Sequence, residues 1–211
     1  PVAQPRRKDR AADLTGLRLW HCAIPMLAYM QSNVLPALSE RAAGEGRPVR
    51  VLELGAGTGI LGTGLSAADD TMVVLTDPAL PVNFDEERSG TTLEYLSANV
   101  ALNDDVHSGR AVARKLLWGN EDDIAAICDE FTAPFDLVVG SDLIYDPDNY
   151  PSLLSTCAHF CHNKCTTVFM GYHPRHPGEK RFFEQADANF EVSLDQASEE
   201  VCVAKCVPRS Q

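Results

Sequence analysis

A chain of 211 residues with 45% hydrophobic and 23% charged side chains can bury one sizeable core, and its composition is that of an ordinary globular protein. Thirty Asp plus Glu against 18 Lys plus Arg leave a net charge of −12, which repels phosphate backbones and argues against nucleic acid as a partner. No apolar run approaches the roughly eighteen residues of a membrane helix, so no membrane partner is expected either.

Residues 1–10 are basic but lack the apolar stretch of a secretory signal, which makes the cytoplasm the expected compartment and the nucleus the second reading. The chain begins with Pro1 rather than Met, leaving room for a native segment ahead of it. Leu19, Trp20, Ala23, Ile24, Leu27 and Ala28 recur at helical spacing, predicting a helix over residues 17–38 that Pro36 breaks or kinks. Residues 1–46 thus read as a helical lead-in packed on the rest.

Val51-Leu52-Glu53-Leu54 is a short β-rich run that stops at Gly55-Ala56-Gly57-Thr58-Gly59. A helix over 60–68, a strand over 72–76, a Pro- and acid-rich surface loop over 78–90 and a helix over 91–102 follow. Next come a strand at 111–116, a helix at 121–131, a buried strand at 135–139, a helix at 149–162, a strand at 166–172 and a helix at 178–188. Two closing strands, 190–194 and 201–207, have no helix between them and predict an antiparallel edge hairpin. Together these elements describe one α/β domain over 1–211, with a Rossmann-like, seven-stranded, mostly parallel doubly wound sheet.

The glycine turn after the first strand lets backbone N–H groups and a helix N-terminus approach a ligand closely. A phosphate-binding P-loop would need Gly-Lys-Ser/Thr, and no Lys occurs between Arg50 and Lys115. Gly57, Gly59 and Gly62 match GxGxxG literally, but in register with the strand end the turn starts at Gly55, and Ile60 replaces the third glycine of the dinucleotide pattern. Glu53 puts a negative charge where a pyrophosphate would lie, yet suits the cationic ammonium or sulfonium of S-adenosylmethionine. Asp77, closing the second strand, can accept ribose hydroxyls in either case. None of Tyr95, Tyr145, Tyr150 and Tyr172 has a lysine four residues on, so the acid of short-chain dehydrogenases is missing. These features favour S-adenosylmethionine, with S-adenosylhomocysteine as product, and point to Glu53, Gly55, Ala56, Gly57, Gly59 and Asp77 as its contacts.

Seven cysteines, an odd number without a spaced framework, fit a reducing compartment. Cys157, Cys161 and Cys165, with His162 among them, could be imagined as metal ligands. No second CxxC or HxxxH completes a tetrahedral site, so the expectation is no metal and a helix face of small hydrophobes.

Residues 51–62, taken with Ser141-Asp142-Leu143-Ile144-Tyr145, resemble the seven-β-strand (class I) protein lysine methyltransferases, the methyltransferase-like family with a DxxY motif. Trp20 resembles the tryptophan of that family's N-terminal helix, and Leu117-Trp118-Gly119-Asn120 its LxWG segment; Thr76-Asp77, residues 99–103 and residues 175–183 extend the similarity. The resemblance implies that Trp20, Gly55 to Gly57, Asp77, Trp118 and Ser141 contact S-adenosylmethionine, while Asp142 and Tyr145 face the acceptor, a lysine of a protein substrate. A monomer is expected. Two departures are the loop over 78–90, longer than the family's, and Leu117 where an acidic residue is common. From the residues alone, Trp20 and Trp118 also read as core aromatics, Asp142 as a helix cap and Tyr145 as a core ring. Other acceptors (histidine, arginine, a small amine) and a non-catalytic cofactor-binding module stay open, while Ser141-Asp142-Leu143-Ile144 is unlike the NPPY signature of glutamine and adenine methyltransferases.

Overall fold

In the strand β1 (Val49–Glu53), Val51, Leu52 and Glu53 are all shut off from solvent, the burial expected of a parallel strand covered on both faces. The computed structural model describes residues 15–83, 89–107, 110–132, 134–161, 165–175 and 178–209. β1 lies inside a seven-stranded sheet with β2 (Thr71–Asp77), β5 (Ala111–Lys115), β6 (Leu137–Ser141), β7 (Thr167–Tyr172), β8 (Phe190–Gln196) and β9 (Cys202–Pro208), in the order β5-β2-β1-β6-β7-β9-β8. The first five are parallel, with Val51 opposite both Val73 and Leu137. β9 runs antiparallel to β7 and β8, which is the expected edge hairpin.

Alternation along each strand divides the core in two. Leu52, Val74, Val138 and Val168 face a cluster built with α6 (Glu121–Glu130), α7 (Tyr150–Phe160) and α8 (Glu179–Ala186). Val51, Val73, Val139 and Phe169 face the opposite cluster, built with α1 (Ala23–Tyr29), α2 (Leu35–Gly44), α3 (Ile60–Leu65) and α4 (Thr92–Leu102). Each fully buried Leu, Val or Phe side chain contributes about 1.5–3 kcal/mol, so a strand with both faces covered is held far more firmly than one half exposed. The chain runs outward from β1 through β2 to β5, then returns to β6 on the other side of β1. The carboxyl ends of β1 and β6 therefore flank the switch point, where ligands of such sheets bind.

Three expectations need correction. The helix expected from residue 17 begins at Ala23: a 3₁₀ turn (Thr15–Leu17) precedes it, and Trp20 lies in the irregular link between them rather than in a helix. Pro36 does not end the helical run, which continues to Gly44. A π turn (Met30–Val34) shifts the hydrogen-bond register just ahead of it, leaving Pro36 in the first turn of α2, where its missing N–H is no loss. The loop expected over 78–90 contains a two-stranded antiparallel ladder, β3 (Pro81–Asn83) and β4 (Ser89–Thr91), with residues 84–88 outside the described residues. Val82 is fully buried there, but three-residue strands are too short to show a period. Thr91 then caps α4 through a capping box with Glu94, and a short helix, α5 (Asp104–His107), follows it. Among the described residues, no helix is long and apolar enough to cross a membrane.

Candidate functional site

A cavity of about 550 Å³ opens at the switch point, within the size range of small-molecule sites. Of the residues singled out from the sequence, Trp20, Glu53, Gly55, Ala56, Gly57, Asp77, Trp118, Ser141, Asp142 and Tyr145 line it. Gly59 does not. It holds the left-handed N-cap of α3 (φ 81°), where a Cβ would stand 2.6 Å from Leu96 Cδ1 and 3.2 Å from Leu75 Cδ2, so its place is in the packing beneath the turn.

Two buried acids form the floor. Glu53 accepts the backbone N–H of Gly62 at 2.9 Å. Its carboxyl is pushed up to about 8, chiefly by burial and further by the nearby Asp77 carboxylate, with the Gly62 N–H opposing. Asp77 accepts the N–H of Gly57 at 3.3 Å, that of Ala79 at 3.4 Å and the hydroxyl of Thr92. Burial still outweighs those three donors and raises its carboxyl above the ordinary range. Thr92 also lines the cavity, and the sequence offered only the capping box at Thr91 as a sign that this residue sits at a helix start.

One wall comes from the LxWG segment after β5. Trp118 Nε1 is buried without a hydrogen-bond partner among the described residues. Gly55 (φ 57°) faces the same ring: a Cβ there would stand 3.1 Å from Trp118 Cζ2 and 2.8 Å from Leu143 Cδ2, so the turn can pass this wall only as glycine.

The corner after β6 supplies another part of the lining. Asp142 is left-handed (φ 58°), its N–H donating to the Gly171 carbonyl at 2.8 Å. Its side chain is only 5% exposed and both oxygens are engaged: Oδ2 accepts the backbone N–H of Cys22 at 2.9 Å, and Oδ1 lies 3.6 Å from Arg175 Nη2. The Cys22 thiol is raised far above its usual range, first by burial and then by donating to the same carboxylate. Tyr145, by contrast, is 42% exposed at the cavity mouth. Its phenol is raised by desolvation, then by the Asp146 and Asp77 carboxylates. Gly16, Arg18, Leu19, Thr58, Asn149 and Ser152 are among the other lining residues, and none was named as a site residue from the sequence.

The residues present fit S-adenosylmethionine: an orphaned indole N–H, a glycine cradle that a Cβ would fill, and buried carboxyls beside the turn answer respectively to an acceptor, a backbone-hugging chain and a cationic ligand. Among the described residues no group of three or more His, Cys, Asp or Glu is arranged to hold a metal. Cys157 and Cys161 are buried in the core, Cys165 is exposed, and His162 lies outside the described residues.

Similarity to known proteins agrees with this geometry. The chain is 31% identical to mouse EEF1A lysine methyltransferase 3 over 88% of its own length and 68% of the relative's. It is 29% identical to mouse protein N-lysine methyltransferase METTL21A over 83% and 68%. Among solved structures, the O-methyltransferase from Bacillus cereus in complex with SAH superposes with a TM-score of 0.57 over 95% of this chain and 87% of that one, at 16% identity, which speaks to the fold alone. Residues 6–189 match the family described as lysine methyltransferase; the chain belongs to that family, and its methyl donor is S-adenosylmethionine.

Proposed function

We propose that this chain, acting as one monomeric domain in the cytoplasm or nucleus, binds S-adenosylmethionine at the switch-point cavity and methylates a lysine that enters past Tyr145. In this reading Gly55, Ala56 and Gly57 with Glu53 take the methionine end, Asp77 the ribose, and Trp118, Trp20 and Ser141 the remaining contacts. Asp142 and Tyr145 border the acceptor's path. The observation that carries it is the convergence on one cavity of residues from five separate segments of sequence, among them Trp118, whose Nε1 is buried with no hydrogen-bond partner among the described residues.

The bound donor supplies a methyl group on a positively charged sulfur. The chain's own task is alignment and exclusion of water, since an in-line displacement gains most from holding nucleophile and methyl in register. A lysine arrives protonated, with an ordinary pKa near 10.4, and only its neutral amine can attack. Transfer from solvent into a cavity whose lining includes Tyr145, Leu19 and Leu117 disfavours the charged form and eases proton loss to water. A net charge of −12 speeds encounter with a cationic protein segment and repels nucleic acid.

The test is incubation with tritiated S-adenosylmethionine and hypomethylated cell extract, alongside purified elongation factor 1A, toward which the mouse relative's name points. Mass spectrometry of the labelled band should find methyl-lysine. Label on histidine, arginine or a small amine would overturn the lysine assignment, and no incorporation with any acceptor would return the chain to a cofactor-binding role.

A further inference from the structure

The outer wall of the cavity is made by chain that precedes α1. Gly16, Leu19 and Trp20 line it, and the Gly16 carbonyl lies so near the turn that a Cβ on Gly57 would stand 3.0 Å from it. Residues 18–20 belong to no helix or strand. A stretch without its own ladder is positioned by tertiary contacts, and two are evident. The backbone N–H of Cys22 donates to Asp142 Oδ2 at 2.9 Å, and the Arg175 guanidinium lies 6.0 Å from the centre of the Trp20 ring. The same guanidinium is 3.6 Å from Asp142 Oδ1, so Arg175 touches both anchors at once. Its own backbone is fixed, since its N–H donates to Glu179 Oε1, in the first turn of α8, at 2.7 Å.

We propose that Arg175 is a positioning residue for donor binding: it clasps residues 16–22 over the cavity by facing the Trp20 ring and pairing with Asp142. The inference rests on reading this cavity as the donor site. A planar guanidinium suits the task because it can lie on an aromatic face while its edge meets a carboxylate; an ammonium can do only the second well. It also gives Asp142 a role that asks nothing of an incoming ammonium, whose charged form a free carboxylate would wrongly favour. Arg175 is itself outside the cavity lining, so it acts through the wall it holds.

The experiment compares the whole chain with Arg175→Met and Arg175→Lys, measuring S-adenosylhomocysteine affinity by calorimetry and, without ligand, amide exchange over residues 16–23. A Trp118→Phe background isolates the emission of Trp20. Arg175→Met should bind S-adenosylhomocysteine about five- to thirtyfold more weakly, as expected for losing one cation–π contact and one partly exposed ion pair. It should also exchange faster over 16–23 and shift Trp20 emission to the red, with an unchanged melting temperature, because the Arg175 side chain is 35% exposed. Arg175→Lys, keeping the charge opposite Asp142, should recover part of each loss. Unchanged affinity and unchanged exchange in Arg175→Met would overturn the clasp. Failure of the unaltered protein to bind S-adenosylhomocysteine would instead overturn the donor-site reading, and the exchange comparison would still decide whether Arg175 holds the segment.

Discussion

Glu53 Oε2 accepts the backbone N–H of Gly62 at 2.9 Å, tying the last residue of β1 to the first turn of α3 directly under the cavity. The contact is intimate because Gly62 carries no side chain: a Cβ there would collide with this carboxylate and stand 2.6 Å from Leu75 Cγ. A carboxyl so enclosed is stable mainly in its neutral form until a cation arrives.

Replacing Glu53 by Gln should therefore separate folding from binding. Its folded carboxyl, near 8, lies well above the ordinary 4.5, so the native state holds a proton that the unfolded chain releases. That contribution to stability is complete below about pH 4.5 and is lost as pH rises toward 8. Glu53→Gln should thus melt higher than the parent at pH 8.5 while differing little at pH 5. Donor binding should respond oppositely. The cationic ligand draws Glu53 to its charged form, so the parent's affinity for S-adenosylmethionine should rise from pH 6 to 8 with release of a proton. Glu53→Gln should bind about tenfold more weakly at pH 8 and lose the pH dependence. Calorimetry in buffers of different ionisation enthalpy measures both, and a pH-independent affinity in the parent would refute the role.

The two glycines at 55 and 59 should fail in different ways. Alanine at 55 must adopt φ near 57° and push its Cβ into Leu143 and the Trp118 ring, displacing the cavity wall. Gly55→Ala should lose S-adenosylhomocysteine binding by tenfold or more with a modest loss of stability. Alanine at 59 meets Leu96 and Leu75 in the core, so Gly59→Ala should lower stability by about 1–3 kcal/mol and leave the affinity of the folded protein nearly intact. Chemical denaturation and calorimetry together check the split; equal loss of affinity in both would contradict it.

Tyr145 lines the cavity and is 42% exposed, so its removal should act on the acceptor. Tyr145→Phe keeps the ring and Tyr145→Ala removes it. With a labelled acceptor in hand, Tyr145→Ala should lower kcat/KM for the acceptor by a hundredfold or more, while S-adenosylhomocysteine affinity stays within about threefold. A large loss of donor affinity in Tyr145→Phe would place the phenol in the donor site instead.

These contrasts also mark what could be read from sequence. The strands were legible because burial on both faces forces continuous runs such as Val51-Leu52 and Leu137-Val138-Val139, and the antiparallel edge because no helix separates residues 194 and 201. The site was legible where chemistry sits at a strand end, as at Glu53, Asp77 and Ser141. The spacing of Trp20 continues the pattern of α1 and so predicts a helix there; its contact with Arg175 and that of Cys22 with Asp142 are tertiary, and periodicity carries no sign of them. Pairings such as Cys22 with Asp142, 120 positions apart, leave no local trace. Gly59 lies outside the lining, and a motif does not separate a left-handed glycine demanded by packing from one demanded by a ligand.

Far from the cavity, Asp136 offers a test of what holds the sheet's opposite end. Its carboxylate, 4% exposed, accepts Arg47 Nη1 at 2.7 Å, Arg47 Nη2 at 2.9 Å and the backbone N–H of Arg50 at 2.9 Å, and pairs with Arg41, joining α2, β1 and the start of β6. Burial alone would raise this carboxyl, but the Arg47 guanidinium, the Arg50 N–H and Arg41 outweigh it and hold it below the usual range. A group depressed in the native state stabilises the fold above its ordinary pKa and loses that contribution as pH falls through the lower folded value. Asp136→Asn keeps the shape but removes the negative charge that faces two guanidiniums. Because Arg41 and Arg47 remain partly in solvent, the expected cost is about 2 kcal/mol at pH 7, less than for a fully buried pair. The difference should shrink as pH falls below the ordinary value of 3.8 toward the lower folded one. Urea denaturation at pH 7, 5 and 3 measures it; a penalty that stays constant across that range would mean that shape, not charge, is what the three elements share at Asp136.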